Sequence, residues 1–212
     1  MIRMSRWVIA AVSLLLLAVF AVPLWRIDLI APQYPEGLGL RIWIDRITGL
    51  KPNDLNSLNG LNHYIGMRAI VPESIPELRL MPYLLAGAIV AGLLVAVIGR
   101  RPLLYVWAAL FSLGAVAGLA DFWKWGYTYG HDLDPHAAIK VPGMSYQPPV
   151  IGSKQLLNFH ATSWPGVGGW AAIASLAIVL AAAALEWRRV RRAETGQPAV
   201  APSPRRTAVA SA

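Results

Sequence analysis

Four long apolar runs constrain this chain more than any other feature: Trp7 to Trp25, Pro82 to Ile98, Leu103 to Ala120, and Gly169 to Trp187. Each has the length that an α-helix needs to cross about 30 Å of hydrocarbon. No Asp, Glu, Lys, Arg or His lies inside a run, and Asp121 and Glu186 fall at ends. Of the 212 residues 56% are hydrophobic and 14% charged, far below the roughly 25% charge of a soluble domain, so the apolar surplus needs lipid. The expected fold class is a membrane protein, a four-helix transmembrane bundle with a small α+β outer (periplasmic) cap. Its divisions are a first transmembrane helix over 1–25, an outer segment over 26–80, a transmembrane helical hairpin over 81–120, an outer segment over 121–168, a fourth transmembrane helix over 169–187, and a disordered basic cytoplasmic tail over 188–212.

Charge sets the expected orientation. Arg3 and Arg6 precede the first run, Arg100 and Arg101 sit between the second and third, and Arg188, Arg189, Arg191 and Arg192 follow the fourth. Placing these ends in the cytoplasm leaves ten basic and two acidic residues inside and nine of each outside, as the positive-inside rule requires. This predicts a multi-pass protein of a bacterial inner membrane, with both termini cytoplasmic and two folded segments in the periplasm. Orientation accounts for the net charge of +8, which therefore gives no reason to expect a nucleic-acid partner. A competing reading makes the first run a signal peptide cleaved after Val19-Phe20-Ala21. The apolar run continues to Trp25, which suits an anchor better.

The interiors of the runs are poor in chemistry. Transporters, proton pumps and membrane haem proteins usually carry ionisable or ligating groups there. Gly114 with Gly118, and Gly87 with Ala91, have the four-residue spacing that permits close helix approach, expected within the bundle rather than between copies. With no cysteine in the sequence, disulfides, thiolate metal sites and covalent haem attachment through cysteine are excluded.

The outer segments carry the information. Leu38, Leu40, Ile42 and Ile44 alternate with Gly39, Arg41, Trp43 and Asp45, which predicts a half-buried strand. Leu55, Leu58, Leu61 and Ile65 follow at helical spacing, with Asn53 as the expected cap. The second segment is aromatic and rich in turn residues. Pro142-Gly143 predicts a type II turn presenting Met144, and the stretch from Trp123 to Tyr129 is expected to cover the strand. The Gly166-Val167-Gly168-Gly169 run follows no strand pattern and reads as a chain break before the fourth helix.

All four histidines, His63, His131, His136 and His160, lie in these segments, as do Met67 and Met144. The segments hold most of the aqueous sequence, so sidedness alone carries little weight. His131, Asp132, Asp134 and His136 do concentrate four donors within six residues. Imidazole with thioether and no thiolate suits copper, while His with Asp also suits zinc. His63, Met67, His131, His136, Met144 and His160 are thus the hypothetical copper ligands. The plain alternative is that the histidines are polar loop groups and the methionines fill gaps. No catalytic residue is assigned: Ser145 lacks a nucleophile-elbow context. A docking role is the other reading, with Trp123, Trp125, Tyr127, Tyr129, Tyr146 and Trp164 forming an aromatic surface for a periplasmic protein.

The phrases LNGLNHYIGM (58–67), DLDPHAAIKVPGMSYQPPVIGSKQLLNF (132–159) and APQYPEGLGLRIWI (31–44), with the span pattern, resemble the NosB-type four-span membrane proteins encoded beside clade II nitrous oxide reductase. The resemblance covers most of the chain except the tail. It implies a non-enzymatic accessory protein that supports this periplasmic copper enzyme through maturation, copper supply or membrane attachment, with the reductase or its maturation proteins as partner besides membrane lipid. Two alternatives stand beside it: a docking module that binds a protein and no metal, and a quinol-linked electron-transfer component.

Overall fold

The computed structural model describes residues 1–194. In chain order, α1 (Arg3–Leu15) tightens into a 3-10 turn ending at Phe20, and three strands follow, β1 (Trp25–Ala31), β2 (Tyr34–Ile42) and β3 (Ile47–Gly49). Then come α2 (Asp54–Ile65), the pair α3 (Pro76–Ile98) and α4 (Arg101–His131), strands β4 (Gly152–Leu156) and β5 (Phe159–Pro165), and finally α5 (Val167–Glu194). Four of the helical stretches are long and apolar enough to cross a membrane: 3–20, 76–98, 101–131 and 167–193.

The boundaries differ from expectation in instructive places. The first helix stops at Phe20 instead of reaching Trp25. Pro23 has no N–H to continue the helical ladder, and Trp25, the last residue of the expected span, instead opens β1, whose other residues fall in the outer segment with no strand expected there. The fourth helix begins at Val167 and runs on to Glu194, so residues 188–194 are helical, and the rest of the expected disordered tail, 195–212, lies outside the described residues. The largest departure is α4, which continues without a break through the first eleven residues of what reads as a loop.

The helices meet along Ile9 and Val12 of α1, Val95 and Ala96 of α3, Leu104, Trp107 and Ala108 of α4, and Val179 and Ala182 of α5. Leu16, Val19, Ile44 and Ile89 form a second cluster toward the sheet. α1 is therefore a core member of the bundle. The close approach within it falls at Gly92, where an added Cβ would lie 2.6 Å from Trp107 Cζ2 and still nearer Ser13 Oγ. The expected positions are not used this way: Gly87 and Gly114 have open space at the Cβ position, and Gly118 meets only Met81 Cε at 3.9 Å.

The strands form one antiparallel sheet ordered β3-β2-β1-β5-β4. β1 pairs with both β2 and β5, so the two outer segments share a single sheet. In β2, Leu38 and Leu40 are buried as expected, but Gly39 between them is buried too, Ile42 is half-buried, and the strand runs Tyr34–Ile42, stopping short of Ile44. The apolar cluster on the neighbouring strands, around Ala31, Leu156, Phe159 and Ala161, contains none of the Trp123–Tyr129 stretch. The apolar layer against the sheet holds Ile65 and Leu61 of α2, with Leu133, Met144 and Tyr146 from the connection between α4 and β4. An antiparallel sheet needs only one apolar layer, and α2 with this connection supplies it.

α2 is anchored by a residue other than the expected cap. Asn53 makes no side-chain cap bond. Asp54, 3% exposed, accepts from Gly39 N–H at 2.9 Å and Lys51 N–H at 3.1 Å through Oδ2. A buried carboxylate holding two backbone donors ties the helix start to β2 more firmly than an exposed cap would.

The sheet joins the bundle without slack. Gly166 N–H donates to Leu24 carbonyl at 2.8 Å and Gly168 N–H to Pro23 carbonyl at 3.0 Å. A side chain at Gly166 or Gly169 would strike the carbonyls of Pro23 and Leu24. The glycine run is thus a contact surface between the entry to β1 and the start of α5; it directly follows strand β5, and the expected break is confined to Gly166, since α5 already begins at Val167.

Candidate functional site

α4 has 31 residues, about 46 Å at 1.5 Å per residue, against about 30 Å of hydrocarbon. Its final turns therefore extend beyond the bundle at the sheet end. Aromatic side chains four apart share one face of a helix, and here they stack. Trp123 and Tyr127 have ring centroids 5.4 Å apart, and Tyr127 and His131 4.0 Å apart. On the neighbouring face, Trp125 and Tyr129 are 4.9 Å apart. The first stripe faces outward, with Trp123 50% and Tyr127 46% exposed. The second is partly buried, and Tyr129 OH donates to the Ala69 carbonyl at 3.4 Å. His131 Nδ1 lies 2.9 Å from the Tyr127 carbonyl. Because a carbonyl only accepts, Nδ1 carries the proton in neutral imidazole, leaving Nε2 as the acceptor or ligand atom.

Beside this stripe, the phrases 58–67 and 132–159 interlock. Asp134 N–H donates to Gly66 carbonyl at 2.8 Å, Ile139 N–H to Tyr64 carbonyl at 2.9 Å, and Tyr146 N–H to Gly130 carbonyl at 2.9 Å. Gly66 ends α2 in the left-handed region, with φ of +80°. The Arg68 guanidinium pairs with Asp132. Two asparagines of α2 hold the returning chain: Asn59 bonds both polar groups of the Ile70 backbone, at 2.7 and 3.0 Å, and Asn62 donates to the Arg68 carbonyl at 3.2 Å. Sequence reasoning missed Asp54, Asn59, Asn62, Gly66, Arg68 and Asp132 in these roles. The Asn59–Asn62 spacing, which places both amides on one helix face, was the available signal.

Pro142-Gly143 forms its turn, with Gly143 at φ +74° and Met144 N–H donating to Val141 carbonyl at 3.1 Å. It directs Met144 inward. Met67 and Met144 both pack on the cluster of Ala31, Ile65, Tyr146, Leu156, Phe159 and Ala161. His63 lies exposed on α2, its ring 6.2 Å from Tyr64. His136 is exposed, its N–H bound to Asp134 Oδ1 at 2.7 Å, and His160 is exposed on β5 opposite Ile30 and Gln155. The thioethers thus share one apolar cluster while the imidazoles occupy exposed positions on different elements. Among the described residues, no three His, Asp or Glu side chains form a metal-holding group.

Of the aromatic docking candidates, Trp123 and Tyr127 form the outward stripe, and Trp164 is exposed beside Arg26 across the strand pair. Tyr146 is instead interior, packed in the cap core, because the backbone bond to Gly130 draws its segment against the sheet. The hairpin tip between β4 and β5 exposes Leu157 at φ +56°. A branched side chain is strained in that region. The tip borders a shallow groove of about 460 Å³ with Gln33, Ile65, Ile139, Asn158 and Phe159.

No family model matches the chain, and no curated protein matches it.

Proposed function

We propose that this chain is a non-enzymatic accessory protein of the bacterial inner membrane, with both termini cytoplasmic and its sheet in the periplasm, that supports nitrous oxide reductase by docking a periplasmic protein. The observation that carries the docking route is the outward stack Trp123–Tyr127–His131 on the rigid extension of α4. Exposed aromatic side chains held by helix geometry lose little freedom on binding and form strong interface anchors. The link to the reductase rests on the resemblance of the 58–67, 132–159 and 31–44 phrases. It is supported by the fact that the first two meet in one hydrogen-bonded contact, directly beside the stack. The arginines clustered at the opposite end support a periplasmic orientation.

Copper handling is the second reading, favoured by Met67 and Met144 reaching one cluster and by the free Nε2 of His131. The two routes separate in one experiment. A photo-crosslinking amino acid at Trp123 or Tyr127 should capture the reductase or one of its maturation proteins in cells that respire nitrous oxide. The W123A/Y127A variant should lower reductase activity without changing the copper retained by the chain. Full activity with the stack replaced, but loss with M67L/M144L, would overturn docking in favour of copper. Full activity with the whole chain deleted would overturn the accessory role.

A further inference from the structure

At the end of the bundle opposite the sheet, three chain segments converge on one carboxylate. Glu186 of α5 is 0% exposed. It accepts from Ile2 N–H at 2.8 Å through Oε1 and from Arg101 Nε at 2.9 Å through Oε2. Arg6 Nε donates to the Ala96 carbonyl at 2.7 Å, closing α1 onto the end of α3. These contacts bring the start of α1, the turn between α3 and α4, and the end of α5 together, and they consume Arg6, Arg101 and Glu186.

The neighbours of those residues are left uncompensated. Arg3 follows Ile2, Arg100 precedes Arg101, and Arg189 lies three residues beyond Glu186, on the same face of α5. All three are exposed and form no ion pair among the described residues. The sequence from 195 onward offers no acid and adds Arg205 and Arg206. Trp7 and Trp187, both largely exposed, stand at the same end, and such side chains settle at the level of lipid headgroups.

We propose that Arg3, Arg100 and Arg189 form a binding site for the headgroup phosphate of an anionic phospholipid in the leaflet at this end. A guanidinium fork matches phosphate oxygens bidentately. Three forks carried on chain segments that meet at one buried carboxylate present donors that a zwitterionic headgroup, carrying its own ammonium, satisfies less well. Orientation by the positive-inside rule needs only the number of charges. Their convergence on the Glu186 junction adds a preferred occupant.

The inference rests on the membrane reading, and the test separates the two. Full-length protein in detergent is mixed with equal amounts of phosphatidylglycerol and phosphatidylcholine, and retained lipid is counted by native mass spectrometry. The wild type should retain phosphatidylglycerol preferentially, undisturbed by millimolar inorganic phosphate. R3Q/R100Q/R189Q should lower that preference by about tenfold or more, whereas R26Q/R46Q/R79Q, at the sheet end, should leave it unchanged. Absence of preference in the wild type overturns the site whether or not the variant folds, as does equal loss in both triple variants. Displacement by inorganic phosphate would show a free-phosphate site instead. Protein that stays in solution without detergent and takes up neither lipid would overturn the membrane reading itself.

Discussion

Gly66 and Asp134 meet backbone to backbone: the Asp134 N–H donates to the Gly66 carbonyl at 2.8 Å, and a Cβ on Gly66 would stand 3.0 Å from the Asp134 carbonyl oxygen. The two outer segments are thus held by a contact that leaves little room for a side chain at that position. Gly66→Ala should cost about 1 to 2 kcal/mol from the left-handed backbone alone. Limited proteolysis should then cut residues 132–139 faster than in the wild type. Unchanged cleavage would show that the contact does not hold the connection in place.

Asp54 should matter more than its position at a helix start suggests. Asp54→Ala leaves Gly39 and Lys51 N–H without their acceptor, at a cost of about 3 kcal/mol. Asp54→Asn keeps an oxygen acceptor without the charge and should fall between. Amide exchange at Gly39 reports the effect directly, and protection in Asp54→Ala equal to the wild type would contradict the assignment.

Two glycines of α3 should respond in opposite ways. Gly92→Val inserts atoms against Ser13 and Trp107 and should destabilise the bundle by about 1 to 3 kcal/mol. Gly87→Val meets open space and should leave thermal unfolding in detergent unchanged. If both variants unfold alike, helix packing at Gly92 is looser than described.

Orientation is decided by reporters. Alkaline phosphatase inserted at the exposed Leu157–Asn158 turn should be active, and the same enzyme fused at the C-terminus inactive. The reverse pattern would place the sheet in the cytoplasm and remove the periplasmic docking role.

The long apolar helices were legible because a run of apolar residues needs no partner to be recognised, and the burial of Leu38 and Leu40 was legible for the same local reason. What sequence reading lost were features defined by a partner. β1 was hidden because Trp25 continues an apolar run, although Arg26, Asp28 and Ile30 alternate with Ile27, Leu29 and Ala31. β5 shows its alternation only once Ser163 and Ala161 are opposite Ile27 and Leu29. The extension of α4 was readable and missed: Asp121 looked like the end of a span, while Trp123, Tyr127 and His131, with Trp125 and Tyr129, already had helical spacing. The inward course of Met144 and Tyr146 was not readable, since it depends on Gly130 carbonyl receiving the Tyr146 N–H.

The pairing of Pro23 and Leu24 carbonyls with the N–H groups of Gly168 and Gly166 removes the swivel that a membrane-tethered domain usually has. A flexible stalk lets its cargo sample a hemisphere above the bilayer and gives it only a raised local concentration. Here the strands leave the helices through a bonded junction, so the sheet keeps one tilt and one compass bearing relative to the helix axes. Whatever sits on it would be held at a set height and facing a set direction, with the four long helices serving as the reference for that alignment.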